Sequence, residues 1–464
     1  MPSFLAAVLV AAASTITASA ADLVFTNAQI IPIEGAEIER GFVAVTDGRI
    51  EAVGSGGFSG AADQTIDCAG KVIMPGLVDT HSHIGGIGGA DGSGPIQPGV
   101  RVRDSINVRD AGFRRALAGG LTSINIMPGS GHLSSGQTVY VKLRHDTSAP
   151  GFGVRTIDDI TYYDEDGEPM GGLKMANGTN PQRDNGGPFP GTRGRAAFLV
   201  RSKFIEARAY QAKLDAAVNE DGSVDASKLP DRDLDLEALA EVMRGERTVH
   251  HHTHRHDDII TVLRLAKEFG FRVVLHHVSD GWLVADEIAE AGAEVSAIMI
   301  DSPGGKHEAV GVRFDTPGIL ERAGVRTVVH TDDWITDSRI FLRSAALAIR
   351  GGMTRRGALE SVTLAGAEML DIDDRVGTLT PSKDADLIVL SGDPFSVYTV
   401  VEQTYVEGNL AFDRADEGDR LSALGGYGAA TDSEPYFCCY NELMTTGRVG
   451  GVQMRGTGSA GSGN

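Results

Sequence analysis

The placement of histidines at the ends of apolar segments constrains this 464-residue chain more than any other feature of its sequence. His81 and His83 end the strand-like segment LVDTHSH, and the segment VRTVVH ends in His330. Two further segments, TVHHHTH and FRVVLHHV, carry the other histidine clusters. In an α/β barrel the carboxyl ends of all the parallel strands open onto one face. The sequence therefore predicts that histidines from distant parts of the chain meet in one site.

Strand-like and helical segments alternate from Leu77 to about Leu370. Such alternation predicts a parallel sheet covered by helices. An eight-fold barrel typically takes about 250 residues, which this region can supply. A doubly wound sheet is the competing fold, but it needs a glycine-rich phosphate turn after its first strand, where PGLVDTHSHIGG presents histidines. We therefore predict an α/β fold with a (β/α)8 barrel over residues 75–370.

Strand-like segments also lie on both sides of this region. Residues 21–74 and 371–413 are rich in alternating and β-branched segments separated by tight turns such as Asp47-Gly48. They predict one small β-sandwich domain built from both ends of the chain. Residues 414–464 form a C-terminal extension, and its Gly/Ser-rich end is expected to be disordered.

Residues 1–20 have the character of an export signal. The stretch is short and apolar, and Ala18-Ser19-Ala20 has the form that a signal peptidase accepts, although no Lys or Arg stands near the start. We expect an exported protein, most simply one of the bacterial periplasm. No later segment reaches eighteen consecutive apolar residues, so we expect no stable membrane span after removal of the signal.

Charge and cysteine content exclude several classes of protein. Acidic residues outnumber basic ones 63 to 42, which gives a formal net charge of −21. So acidic a chain repels phosphate backbones, which excludes broad nucleic-acid binding and leaves a small-molecule substrate as the expected partner. Cys68 stands alone and Cys438 and Cys439 are adjacent, which is neither a disulfide framework nor a zinc knuckle. We expect no chemistry from these three residues.

The histidine pattern is typical of a metal site. His81 and His83 can bind one ion together, because side chains two apart on a strand point the same way. Neutral imidazoles suit Zn²⁺, Fe²⁺, Mn²⁺ or Co²⁺, and a carboxylate such as Asp332 completes such a site. A single histidine at a strand end is more often an ordinary hydrogen-bonded residue, so the prediction depends on the joint pattern of four segments.

Lys174 lies in GGLKMANGTN, where a fourth strand would end. A lysine is more often solvated, but beside two cations it cannot remain an ammonium. Its free amine can then take up CO₂ to form a carbamate that bridges both ions. A mononuclear histidine site would in that case become binuclear.

Several of these segments together resemble a known family. VIMPGLVDTHSHIGG is similar to the opening signature of the amidohydrolase superfamily, and VTLAGAEMLDIDDRVGTLTPSKDADLIVLSGDPF resembles its return into a small β domain. MPGSGHLSSGQTVYVKL, GLKMANGTNPQR, HTHRHDDI and HTDDW resemble the exported imidazolonepropionase-like amidohydrolases. The resemblance covers about residues 22–413. It implies a distorted (β/α)8 barrel with a flanking β-sandwich and divalent metal-dependent hydrolysis.

The resemblance also implies roles for individual residues. The expected metal ligands are His81, His83, Lys174, His252, His277 and Asp332, with Asp332 also moving the proton. By register alone His254 could replace His252, and His276 could replace His277. The expected substrate contacts are His132, Arg183, His254 and Arg255.

Two positions depart from the family pattern. Thr179 stands where the stretch around Lys174 usually carries an acid, and His132 stands where an asparagine is expected. Neither change removes an expected ligand. Loss of the acid predicts an altered substrate specificity.

These observations lead to one functional hypothesis and two alternatives. The hypothesis is hydrolysis of a C–N bond in a cyclic amide, a dipeptide or an N-acyl amino acid by a metal-activated hydroxide, with Asp332 as proton shuttle and one or two divalent ions, expected to be Zn²⁺. The first alternative is a mononuclear deaminase in which Lys174 is merely structural. The second is a non-catalytic barrel scaffold. The sequence leaves open the substrate and whether the chain forms a homo-oligomer.

Overall fold

The computed structural model describes residues 21–144, 154–183, 187–300, 306–333 and 335–426, and the backbone of two short strands between 448 and 453. The predicted export signal at 1–20, the pair Cys438-Cys439 and most of the C-terminal extension lie outside the described residues. Within the described ranges, no helix has both the length and the apolar character needed to cross a bilayer.

Strands dominate both ends of the described chain and alternate with helices between them. The strands are β1 (Ala21–Ile30), β2 (Ile38–Thr46), β3 (Arg49–Ser55), β4 (Ala62–Asp67), β5 (Val72–Pro75), β6 (Leu77–Ser82), β7 (Leu121–Ile126), β8 (Ser134–Gln137), β9 (Val139–Lys142), β10 (Leu173–Ala176), β11 (Val249–Thr253), β12 (Val273–His277), β13 (Glu294–Ile298), β14 (Thr327–His330), β15 (Leu387–Leu390), β16 (Val401–Val406), β17 (Asn409–Asp413), β18 (Arg448–Val449) and β19 (Val452–Gln453). The helices are α1 (Ala111–Ala118), α2 (Arg193–Ala217), α3 (Leu234–Arg244), α4 (His256–Phe269), α5 (Ala285–Glu290), α6 (Thr316–Arg322), α7 (Phe341–Arg350), α8 (Arg355–Glu360), α9 (Leu364–Met369) and α10 (Glu417–Leu424).

Strands from both ends of the chain share one sheet. Its order is β17-β16-β15-β5-β1-β2-β3, and β4 pairs with β1. The two ends meet where β5 and β15 run antiparallel, with Pro75 opposite Leu387. One face buries an apolar core in which the rings of Phe25 and Tyr405 lie 4.8 Å apart, edge to face. Burial in the same core raises the pKa of the Cys68 thiol to about 11, in keeping with an unreactive residue.

The predicted β-sandwich is not confirmed. The described strands of residues 21–74 and 371–413 all belong to one hydrogen-bonded sheet. The pairing of β5 with β15 explains the difference, because it joins the two sets of strands edge to edge through backbone hydrogen bonds.

The strands that carry the histidines form a second group. A six-stranded sheet has the order β14-β13-β12-β11-β10-β8, in which β10 to β14 run parallel. A three-stranded sheet has the order β6-β7-β9, with β6 and β7 parallel. The two sheets touch just beyond β14, where the Asp332 amide donates to the His81 carbonyl at 2.9 Å and the His83 amide donates to the Asp333 carbonyl at 3.1 Å.

The α/β architecture agrees with the sequence, but the described strands do not form a closed ladder of eight parallel strands. The reason lies in the segment 134–142, which runs antiparallel to both of its neighbours. Its first half, β8, pairs with β10, and its second half, β9, pairs with β7. The ladder is therefore interrupted between β8 and β9.

Helix α4 shows how the local sequence builds the outer layer. Its residues Ile259, Val262 and Ala266 recur at helical spacing and are buried, which packs one face of the helix against the sheet. The helix ends at Gly270, whose φ of 78° lies in the left-handed region that glycine adopts without strain. This packing places the start of α4 directly after the histidine-rich strand β11.

A buried ion cluster joins the barrel strands to the sheet of the chain ends. The Lys142 ammonium, at the end of β9, donates to Asp384 and, at 3.3 Å, to the Asp386 carboxylate. Glu407, in the turn after β16, lies 3.6 Å from the same nitrogen. Removing one partner of a buried pair leaves a charge without compensation, which costs about 3–5 kcal/mol.

We expect the variant Lys142→Met to lower the free energy of unfolding by about 3–5 kcal/mol, because Asp386 would keep its buried charge without the cation. Urea unfolding followed by circular dichroism measures the change. The control is Lys71→Met. The partner of Lys71 is the partly exposed Glu402, 3.8 Å away, so this variant should change stability by about 0–1 kcal/mol. Equal losses in the two variants would contradict a structural role for the Lys142 cluster.

Candidate metal centre

The carboxyl ends of four parallel strands bring eight histidine rings into contact with one another. The strands are β6, β11, β12 and β14, and each presents histidines at or just after its last residue. The rings belong to His81, His83, His250, His252, His254, His276, His277 and His330. All eight residues are buried. Burial removes water from these rings and therefore favours their neutral form, whose nitrogen lone pair can bind a cation.

The first group of potential ligands consists of His81, His83 and Asp332. The two histidine Nε2 atoms lie 3.3 Å apart. The Asp332 Oδ1 atom lies 3.4 Å from the first and 3.1 Å from the second. The Nδ1 atom of His83 contacts the Met127 carbonyl at 2.7 Å, so its proton points there and its Nε2 lone pair points toward the cluster.

The second group extends this cluster to strands β12 and β14. Ligand atoms of His81, His277 and His330 lie within 4.8 Å of one another. His277 Nδ1 contacts His330 Nε2 at 3.2 Å and lies 3.9 Å from Asp332 Oδ2. Burial lowers the pKa of His330 to about 3 and holds the pKa values of His81 and His277 well below the usual range.

Backbone strain accompanies the site. His277, Val278 and Asp332 have φ values of 74°, 44° and 48°, in the left-handed region that non-glycine residues rarely adopt. Such conformations persist where the surrounding structure enforces them, and they are concentrated at functional sites. Here they turn the chain at the ends of β12 and β14, where the ligand atoms lie.

Lys174 reaches the same cluster from β10. Its Nζ atom lies 3.0 Å from His81 Nε2 and 2.9 Å from the Met127 sulfur, and its side chain is fully buried. Lys174 therefore contacts His81, which in turn contacts His83 and Asp332.

His252 and His277 each keep one buried nitrogen without a hydrogen-bond partner among the described residues. These atoms are His252 Nδ1 and His277 Nε2. The two rings lie 4.3 Å apart between centroids. Buried polar groups are nearly always hydrogen-bonded, so two orphaned nitrogens on neighbouring rings fit a metal ion that would bind both rings.

The neighbouring histidines are engaged on both ring nitrogens. His254 contacts Ser279 Oγ through Nδ1 at 2.8 Å and Lys306 Nζ through Nε2 at 3.1 Å. His276 contacts His81 through Nδ1 at 3.1 Å and His250 through Nε2 at 2.9 Å. This difference favours His252 over His254, and His277 over His276, as ligands.

Of the predicted substrate contacts, His254 belongs to the cluster, whereas His132 and Arg183 both lie against Phe189. Both ring nitrogens of His132 are buried and without a hydrogen-bond partner among the described residues, and burial lowers its pKa to about 4. Its ring lies 5.2 Å from Phe189, over which the Arg183 guanidinium lies at 4.9 Å. Arg255 instead pairs with Asp257 on the surface, so the structure does not bring its side chain into the cluster.

Sequence reasoning missed two residues of the loop after β13. Lys306 Nζ lies 3.1 Å from both His252 Nε2 and His254 Nε2, and the buried Glu308 lies 3.4 Å from the same nitrogen. Glu308 Oε2 also accepts the Thr179 amide at 2.8 Å. The departure at Thr179 was the available signal, because an acid is expected at that position and the Glu308 carboxylate lies against the Thr179 amide.

The chain is similar to known proteins over most of its length. The family model described as the amidohydrolase family matches residues 142–412. A solved structure of an amidohydrolase from Thermotoga maritima is 32% identical with a TM-score of 0.75, covering 85% of this chain and 100% of that one.

Two curated relatives cover most of this chain. The amidohydrolase tasK of Hapsidospora irregularis is 27% identical over 402 residues, 81% of this chain. This chain spans only 39% of the length of that protein. The imidazolonepropionase of Sphingopyxis alaskensis is 25% identical over 407 residues, which cover 80% of this chain and 92% of that protein.

The two orphaned nitrogens predict metal-linked stability. Adding Zn²⁺ to chelator-treated protein, at about a hundredfold excess over its dissociation constant, should stabilise the fold by about 2.7 kcal/mol, because the ion binds only the folded site. Differential scanning calorimetry should show this as a rise in Tm of several degrees. His277→Ala should remove most of the rise, whereas His256→Ala, at a half-exposed histidine outside the cluster, should keep it. An unchanged rise in the His277 variant would rule out His277 as a ligand.

Proposed function

The chain belongs to the amidohydrolase family, and from this premise we propose that it is a divalent metal-dependent hydrolase of an amide-type C–N bond. The observation that carries the proposal is the meeting of His81, His83 and Asp332 with the orphaned nitrogens of His252 and His277. Each of the four strand ends involved contributes at least one of these residues.

The donor set suits two neighbouring ions. His81, His83 and Asp332 would hold one ion, and His252 with His277 would hold the other. When bound, such an ion supplies Lewis acidity, which lowers the pKa of a water molecule from about 15.7 toward 7 and polarises a substrate carbonyl. Imidazole and carboxylate donors suit Zn²⁺, which we propose as the ion.

Lys174 is proposed to join the two ligand sets. Beside cations its amino group favours the neutral amine, which can attack CO₂. The reaction forms an N–C bond and releases one proton, so that a lysine amine and CO₂ give a carbamate anion. The carbamate would carry a negative charge, shared by its two oxygens, where the neutral lysine amine had been at the centre of the donor set.

Asp332 is proposed to move the proton. Its carboxylate lies 3.1 Å from His83, and its side chain keeps about a tenth of its surface exposed while the imidazoles beside it are almost completely buried. It can therefore reach both an attacking water and a bound substrate. It would accept the proton of the water and deliver it to the leaving nitrogen, as a general base and then a general acid.

The surroundings favour a substrate that carries a carboxylate. Lys306 contributes a positive charge beside His252 and His254, and Arg183 lies on the ring that also contacts His132. These positions support a dipeptide or an N-acyl amino acid over an uncharged lactam. We also propose export, which is supported only by the sequence of residues 1–20.

A substrate panel with metal analysis tests the proposed function. Dipeptides, N-acyl amino acids and lactams should be screened with Zn²⁺-loaded protein, and we expect about two ions per chain and hydrolysis of a carboxylate-bearing amide. Asp332→Asn should lower kcat/KM by about 10²–10⁴-fold, because the proton transfer is lost.

The matched control is Asp371→Asn. Asp371 has the same left-handed backbone, with φ of 55°, but pairs with Arg272 away from the cluster. Its kcat/KM should stay within twofold of the unchanged protein. One ion per chain with release of ammonia from an amino-substituted ring would favour the deaminase alternative. Full activity of the Asp332 variant would remove the proton-shuttle assignment.

A further inference from the structure

A hydrogen-bonded series of four buried groups runs from the candidate metal centre to Tyr140 on β9. His81 Nδ1 contacts His276 Nδ1 at 3.1 Å, and His276 Nε2 contacts His250 Nδ1 at 2.9 Å. His250 Nε2 then contacts the Tyr140 hydroxyl at 3.0 Å. All four residues are buried. None of these contacts is needed for the proton transfer assigned to Asp332.

The hydrogen bonds that link these four side chains must all have the same donor-to-acceptor direction. A neutral imidazole carries one proton, so one of its nitrogens donates and the other accepts. All three rings are buried, and burial favours the neutral form of an imidazole. Reversing any one bond therefore requires reversing the others.

Only one of the two directions leaves a lone pair for a cation at His81. If His81 donates from Nδ1, then His276 and His250 each donate from Nε2, and Tyr140 accepts at the end. In the opposite direction His81 carries its proton on Nε2, the atom that faces His83 and Asp332. A hydroxyl can donate or accept, so Tyr140 satisfies the chain in either direction.

His81 differs here from its partner His83. The Nδ1 atom of His83 contacts the carbonyl of Met127, which can only accept and so fixes the His83 tautomer. His81 has an imidazole in place of the carbonyl. The fit is close, because a Cβ atom at Gly172 would lie 2.4 Å from the Cδ2 atom of His250, so only glycine leaves room for this ring.

We propose that His276, supported by His250 and Tyr140, is a positioning residue that fixes the tautomer and ring orientation of His81 for metal binding. This inference depends on the proposed metal site. In this proposal His276 affects metal binding through His81 and does not contact the ion itself. Partners that orient metal-binding histidines typically change metal affinity about 10–100-fold when they are lost.

The tautomers can be read directly. In protein labelled with ¹⁵N-histidine and loaded with Zn²⁺, long-range ¹H–¹⁵N spectra distinguish a proton on Nδ1 from one on Nε2. We expect the proton on Nδ1 in His81 and on Nε2 in both His276 and His250. A proton on His276 Nδ1 would overturn the proposal, and this measurement needs no variant to fold.

Two substitutions at one position test the effect on the metal. His276→Leu removes the acceptor for His81 and should weaken Zn²⁺ binding about 10–100-fold in competition with a chromophoric chelator. His276→Asn keeps an amide oxygen that can accept from His81 and should bind within about threefold of the unchanged protein. Zn²⁺ binding by the Leu variant at the original affinity would overturn the proposal.

Tyr162→Phe is the matched control for loss of a buried polar group. Tyr162 is packed in the same apolar cluster as Tyr140, but its hydroxyl contacts Ser123 Oγ at 2.7 Å. This variant should lower Tm and leave Zn²⁺ affinity unchanged. If Tyr162→Phe lowered the Zn²⁺ affinity as much as His276→Leu does, the effect of the Leu variant would be general destabilisation. That result would overturn the proposal. Failure of the unchanged protein to bind Zn²⁺ would instead reject the proposed function itself.

Discussion

The burial of many imidazoles at one end of a parallel sheet is the constraint on which the rest of the structure depends. Buried rings without water remain neutral, because charging them in a low-dielectric interior is costly. Each neutral ring then offers one donor and one acceptor, and both need a partner. Most find it in another ring, a hydroxyl or a carbonyl, as His330 does with Ser296 and His277. Among the described residues of the cluster, one nitrogen of His252 and one of His277 have no such partner, which supports the proposed metal site.

Much of the fold and of the site could be predicted from the sequence, because simple geometric rules apply to them. The spacing of His81 and His83 places both rings on one side of β6, whatever the rest of the chain does. The alternation of strands and helices predicts the parallel order of β10 to β14.

The remaining features depend on contacts that no local pattern encodes. Successive side chains in residues 250–252 alternate between the two sides of β11. The sequence therefore predicts that neighbouring histidine rings point to opposite sides of the strand, but not which side faces the cluster. The antiparallel course of 134–142 is set by its pairing with β7 and β10. Lys306 and Glu308 come from a loop far along the chain from the residues they contact.

Glu308 shows how a missing side chain can be replaced through space. Its carboxylate lies against the amide of Thr179 and also 3.5 Å from the guanidinium of Arg193, at the start of α2. A Cβ atom at Gly178 would lie 2.4 Å from it, so the glycine makes room for an acid from elsewhere. A carboxylate therefore lies beside the position where the sequence predicts an acid, but it comes from a different loop. Changes in that loop would alter the site without any change in the barrel strands.

The pairing of β5 with β15 has a consequence for synthesis of the protein. Pro75 leaves the ribosome long before its partner Leu387, and β1 to β4 emerge even earlier. During translation the edge of β5 is open while the entire barrel region is still being made, and open strand edges can pair with other chains. The late arrival of β15 to β17 closes that edge. Nascent chains stalled or cleaved within the barrel would therefore expose a ready template for aggregation.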